Sequence, residues 1–427
     1  MRNYLKKYQL ATVCCFVLMV QISFAQVIQT NGKANAAIDM QKLSRIDDLV
    51  NSYISKNWLT GAVTLVIKDN QLLQYKGYGL ADVATKKPMA KDAIFRIMSQ
   101  TKAITSTGIL ILYEQGKLLL DEPIANYIPA FKNPKVLDKF TAADSTYTTV
   151  AAKRDITFRD LLTHTSGLDY ADIGSEEMKA IYAKAGVPSG LGYFNAGLLD
   201  RMNVLAKLPL KAQPGEKFIY GLNSDLLGCL IEVISGTTLD EFLKKNIFEP
   251  LGMKDTYFNV PAAKANRMAT VYTEDDKHNI ILWSPTFRNL NPDYPLKNTS
   301  YFSGGAGLSS TAFDYAVFLQ MLLNGGKYNG HQILSPRTVQ LMTSPQLDFS
   351  TGENDNNFGL GFEISSEKAA ARMPRNKGTF AWGGYFGTTY WADPKAKLVC
   401  LILTQQSPNS HWQIVPKFET MVYSSLK

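Results

Sequence analysis

Apolar residues at positions 46, 49, 50, 53 and 54 form one stripe at helical spacing and predict a helix over residues 40–56. Gly61 to Ile67 and Gln71 to Gly79 flank an Asp69-Asn70 turn and predict a strand hairpin. An apolar approach through Ile94, Phe95, Ile97 and Met98 then delivers Ser99 to a turn. The small and β-branched residues after it predict a buried helix that continues through Ile109 to Tyr113 and stops at Gly116. From Leu119 to Thr299 the pattern is irregular and mostly helical, with one clear helix where Leu226, Leu227, Leu230, Ile231 and Ile234 precede Gly236. Strands return late, at Phe380 to Trp382, Thr388 to Ala392 and Leu398 to Thr404, with a turn at Asp393-Pro394-Lys395. An amphipathic helix near Trp412 to Tyr423 closes the chain.

Strands at both ends with helices between them predict an α+β fold. One antiparallel sheet is built from both termini and flanked by helices, with the middle of the chain inserted as a mainly helical lobe. Residues 26–118 and 300–427 form the sheet domain and 119–299 the helical domain, leaving a cleft between them for a ligand.

The amino terminus adds a separate element. Arg2, Lys6 and Lys7 precede an apolar run from Leu10 to Phe24, and Ser23-Phe24-Ala25 fits a small-x-small cleavage site. Residues 1–25 read as a secretory signal peptide cleaved after Ala25, giving a secreted or periplasmic protein with no stable membrane span. Its three positive charges leave with it, so the formal +8 becomes +5. That charge is evenly spread, without a basic aromatic stretch, and gives no support for nucleic-acid binding. Cys229 and Cys400 remain inside apolar runs and read as buried free thiols. His164, His278, His331 and His411 are dispersed without paired ligand spacing, so no metal or cofactor is expected.

Three stretches carry candidate chemistry. Ser99 and Lys102 lie three apart on one helix face, where an amine stripped of water can take a hydroxyl proton; on its own Ser99 also reads as a helix cap. The same spacing recurs at Ser365–Lys368 and Ser424–Lys427, in a polar stretch and at the chain end. Tyr220 follows a Pro214-Gly215 turn and stands at a helix's leading end, where its phenol can relay a proton or simply be a capped, buried tyrosine. Trp382-Gly383-Gly384-Tyr385 is a glycine-rich strand edge. A substrate carbonyl lying there would meet the Tyr385 amide, which with the Ser99 amide makes an oxyanion hole; the alternative is a bulge at a sheet corner.

Together with Leu161 to Leu168, Gln213 to Glu216 and Gly304 to Leu308, these stretches resemble the serine β-lactamase and penicillin-binding-protein superfamily. Within it the chain is similar to the branch of class C β-lactamases, family VIII carboxylesterases and D-amino-acid peptidases. The resemblance implies an acylated nucleophile at Ser99, a base at Lys102, and a general acid/base at Tyr220. It implies substrate contacts at Trp382, Gly383, Gly384 and Asn223, and turn-forming roles for His164 and Ser166. Two departures mark this chain: Leu222 occupies the place of the family's asparagine, with Asn223 one residue late, and Trp382-Gly383-Gly384 replaces Lys-Thr-Gly. Both resemble the esterase-like members.

The expected function is a serine hydrolase acting on small carboxylic esters, with a small-molecule acyl substrate as its partner. The alternatives are a β-lactamase or D-amino-acid peptidase, with Arg375 or Lys377 supplying the missing cation, and a silent binding or sensor module on the same fold. The oligomeric state is left open.

Overall fold

The computed structural model describes residues 27–30, 35–190, 192, 195–352 and 355–427. The signal-peptide reading falls outside these residues. Helix α1 (Arg45–Ser55) follows a short turn of helix capped by Asp39 and leads into β1 (Gly61–Lys68), β2 (Gln71–Asp82) and β3 (Lys87–Pro88). Helix α2 (Thr101–Glu114) comes next, then α3 (Asn223–Ser235) in the middle of the chain and α4 (Ala312–Leu323). The carboxyl-terminal part supplies β4 (Asn357–Phe358), β5 (Glu363–Ile364), β6 (Phe380–Gly384), β7 (Thr388–Asp393), β8 (Leu398–Leu403) and α5 (Ile414–Ser424).

All eight strands join one antiparallel sheet in the order β4-β5-β6-β7-β8-β1-β2-β3. The two ends of the chain meet where β1 pairs with β8, Leu65 opposite Leu401 and Val66 opposite Cys400. Every residue of β1 is buried, because helices cover both faces of the sheet there. Ala62 and Val66 pack with α1 and α5, whereas Val63, Leu65 and Ile67 point into the larger core shared with α2, α3 and α4. The period-2 alternation of a strand thus feeds two cores at once.

Helix α2 is buried from Thr101 to Leu112, enclosed between sheet and lobe, which explains why its sequence carries no polar stripe. At Gly108 a β-carbon would stand 2.9 Å from Ile231 Cδ1 and 3.1 Å from Leu243 Cδ2, so glycine lets the lobe close on it. Helix α3 stops at Gly236, in the left-handed region at φ 72°, where the sequence pattern places its end.

A strand ribbon, Lys135–Thr141 paired with Thr146–Ala151, departs from the expected helical middle. Its second strand is exposed throughout and carries no buried-exposed alternation for a pattern to reveal. Cys229 and Cys400 are free and buried. Among the described residues no helix is long and apolar enough to cross a membrane.

Candidate active site

The approach to Ser99 is tied down before the helix begins. Phe95 and Arg96 pair with Ser310 and Ser309, Ile97 N–H donates to Leu308 O at 3.1 Å, and the buried Arg96 guanidinium donates to Ala269 O at 2.8 Å. Met98, fully buried, takes a left-handed φ of 49°, a strained value for a non-glycine residue. Its side chain is gripped by Trp283, Tyr294 and Phe386, so packing holds the strain. A single 3-10 turn, Met98–Gln100, then feeds α2, leaving Ser99 at the mouth of the helix and Lys102 in its first turn.

Lys102 is only 1% exposed, and its Nζ has three partners: Ser99 Oγ at 3.2 Å, Tyr170 Oη at 3.0 Å and Gly305 O at 2.8 Å. The Gly305 carbonyl can only accept, so one N–H of the amine is committed to it. The remaining two positions on nitrogen face two hydroxyls, each able to give or take a proton. Such an amine can exchange a proton with Ser99 or Tyr170 without water between them.

Tyr170 was not singled out by sequence. It follows the Thr163 to Leu168 stretch, in which His164 and Gly167 both have positive φ (56° and 87°), and that turn throws the chain back against α2. Burial, then the neighbouring Tyr220 and Asp225, push its phenol well above the ordinary tyrosine range. Tyr220 stands three residues before α3, at its leading end as expected, but presents its ring to the amine: Lys102 Nζ lies 4.5 Å from the ring centroid. Its Oη accepts from Trp382 Nε1 at 3.4 Å. The phenol bonded to the lysine is therefore Tyr170, with Tyr220 beside it at 5.4 Å between ring centroids.

Asp225 completes the buried polar group. A β-carbon at Gly305 would meet its Oδ2 at 2.6 Å, Tyr170 Oη at 3.3 Å and Lys102 Nζ at 3.5 Å, so all three side chains converge on this glycine. Burial, outweighing the Ser303 hydroxyl and the Lys102 charge, pushes the Asp225 carboxyl up to about 6. A lone carboxylate in an apolar helix carries no spacing signal that sequence could have used.

Asn223 is not among the residues that line the cavity beside Ser99, contrary to the contact the resemblance implies for it. It is fully buried, accepts from Ser166 Oγ, and donates to His164 Nδ1 at 2.9 Å. One residue later on the helix than the family's asparagine, it turns into the lobe. His164 packs against Tyr220 at 4.9 Å, and burial and the Lys102 charge hold its imidazole well below the usual range. The pair backs the Tyr220 ring.

Strand β6 supplies the opposite wall. Thr388 Oγ1 donates to Ile97 O at 3.4 Å, and Gly384 presses so close to that carbonyl that no side chain fits. The β6–β7 turn closes with Gly387 N–H donating to Gly384 O at 2.9 Å, φ 79° at Gly387. The close neighbour at Gly384 is thus a carbonyl of this chain, and β6 pairs with β7 without a register shift from Phe380 to Gly384, so the corner is a turn and not the alternative bulge. The cavity enclosed here is about 530 Å³ and is lined by Ser99, Tyr170, Tyr220, Trp382, Gly383 and Tyr385 among others.

Neither Arg375 nor Lys377 is a free cation. Arg375 also lines the cavity but binds Glu419 at 2.9 and 3.0 Å, and Lys377 binds Glu367 at 2.7 Å in solvent.

The chain matches the Beta-lactamase family over residues 46–416. It is 34% identical over 366 residues to Protein Rv1367c of Mycobacterium tuberculosis, covering 82% of this chain and 87% of that protein. Esterase EstB of Burkholderia gladioli is 28% identical over 374 residues, covering 84% and 90%. The solved structure of EstCE1, a hydrolase with promiscuous acyltransferase activity, superposes with a TM-score of 0.78 at 26% identity and covers 90% of this chain and 99% of that one. The match runs through the Ser99 turn, the helical lobe and the Trp382 hairpin alike, and on that extent this chain belongs to the Beta-lactamase family.

Proposed function

We propose that the protein is a serine hydrolase that forms an acyl-enzyme on Ser99 and acts on small carboxylic esters. One observation carries this: the buried Lys102 amine lies within hydrogen-bond reach of both the Ser99 and Tyr170 hydroxyls. Lys102 Nζ takes the Ser99 proton as Oγ attacks the ester carbonyl, forming the Oγ–C bond. The Ser99 and Tyr385 amides meet the oxyanion, each donor worth about 3–4 kcal/mol in such sites. The adduct collapses by breaking the bond to the alkoxide, which leaves with a proton from the Lys102 cluster through Tyr220. Water then repeats the attack on the acyl-serine, releasing the acid and restoring Ser99, so ester and water give acid and alcohol. Tyr170 relays protons at the lysine.

Esters rank above β-lactams and D-peptides because Trp382 stands where the lysine of Lys-Thr-Gly would hold the carboxylate of those substrates, and Arg375 and Lys377, the cations nearest that place in sequence, are already bound to glutamates. Similarity to an esterase supports the same ranking. Short-chain aryl esters and nitrocefin assayed side by side test it: esters are expected to be turned over faster, and a higher nitrocefin rate would reverse the order. A fluorophosphonate probe is expected to label Ser99, whereas a protein that never takes it up would be the silent module. Export is proposed from the amino-terminal pattern alone, and a mature chain beginning at Gln26 in the exported fraction is its check.

A further inference from the structure

The cations around this cavity differ in how they are occupied. Lys102 spends its donors on Ser99, Tyr170 and Gly305, and Arg375 is held by Glu419. Arg288 is exposed beside the cavity wall and makes no ion pair among the described residues; Asp172 feels its charge without reaching it. Its Nη1 donates to Tyr385 Oη at 2.6 Å, and Tyr385 lines the cavity. One tyrosine side chain therefore links the amide proposed for the oxyanion to a guanidinium at the rim.

The backbone is strained to put it there. Arg288 and Asn289 are consecutive non-glycine residues with φ of 51° and 54°, an unfavourable pair that neighbouring structure must impose. Trp283 imposes it, donating from Nε1 to Leu290 O at 2.9 Å and packing edge-on against Phe287 at 4.7 Å. Phe287 in turn lies 5.4 Å beneath the guanidinium. The side chain is thus placed from below by an aromatic ring and from the side by a phenol. Its planar fork has five donors, of which Tyr385 uses one, and a carboxylate is the group that matches the rest.

We propose that Arg288 is the specificity residue of this pocket and binds a carboxylate carried by the substrate. The preferred esters are then acidic ones, in which a few methylenes separate the anion from the reacting carbonyl, matching the length of the Tyr385 side chain. This rests on the reading of Ser99 as the acylated serine.

The test compares kcat/KM for mono-4-nitrophenyl glutarate with that for 4-nitrophenyl butyrate in wild type, Arg288→Ala and Arg288→Lys. A second ester, with the carboxylate on the phenol instead of the acyl chain, tells which half of the substrate carries the anion. The acidic-to-neutral ratio is expected to fall about tenfold to a hundredfold in Arg288→Ala, through KM, the size of a charged hydrogen bond. Arg288→Lys restores part of it, and added salt shrinks the effect. A ratio within about twofold of wild type for both acidic esters in Arg288→Ala overturns the proposal. If wild type hydrolyses none of these esters, the Ser99 reading fails by itself. Calorimetric binding of the glutarate ester to Ser99→Ala then decides the Arg288 question: binding lost on adding Arg288→Ala upholds it, and equal binding ends it.

Discussion

The floor and the rim of this cavity are built on opposite terms. On the floor, Lys102, Tyr170 and Asp225 are buried, the amine has all its partners, and a glycine at 305 is needed to let them meet. At the rim, Ile173 and Arg288 are exposed, and Arg288 has spent one donor on Tyr385. A buried, fully bonded group cannot adjust to a ligand without leaving a polar atom unsatisfied, whereas an exposed one can. On the proposed reading, chemistry is fixed on the floor and selection made at the rim, so floor variants should lose kcat where rim variants lose KM.

The largest expected effect is at the centre of the floor. Ser99→Ala should lower ester turnover by about a thousandfold or more, and Lys102→Met by about a hundredfold or more, with both proteins folded by circular dichroism. Substantial turnover by Ser99→Ala would sink the assignment. The tyrosines sharpen the picture further. Tyr170→Phe should cost about a hundredfold on aryl and alkyl esters alike, because its hydroxyl serves the lysine. Tyr220→Phe should cost about a hundredfold on alkyl esters and about tenfold on 4-nitrophenyl esters, whose leaving group needs no proton. Equal losses on both ester types for Tyr220→Phe would remove it from the leaving group.

A smaller effect is structural. Gly305→Ala forces a methyl against the Asp225 carboxyl and should destabilise the protein by about 1–3 kcal/mol in urea unfolding, with activity lost alongside. A neutral outcome would mean the floor can shift. The smallest is a pH slope. Burial raises the Asp225 and Asp314 carboxyls to about 6 from the ordinary 3.8, so the folded protein keeps protons that the unfolded chain releases. Stability from these groups is therefore greatest below about pH 4 and is lost as pH rises towards about 6, by at most about 1.4 kcal/mol per pH unit per group. Unfolding wild type and Asp225→Asn across that window should show a flatter curve in the variant, and parallel curves would contradict the buried state of Asp225.

By itself the sequence determined the elements whose signal is local. Hydrophobic spacing set α1, α2, α3 and α5 and the central strands, while glycine at 236 and the Ser99–Lys102 spacing marked a helix end and a shared face. The tertiary structure alone decided what depends on side chains distant in the chain. Tyr170 lies 68 positions from Lys102, and nothing in its own neighbourhood distinguishes it from a core tyrosine until the turn after Leu162 brings its hydroxyl to the amine. Asn223 turned inward because one residue along a helix rotates a side chain by more than a quarter turn, a shift that spacing records but only packing resolves. Arg288 stood in an irregular loop, and its place beside Tyr385 follows from a strained backbone that Trp283 holds, a cost no local pattern announces.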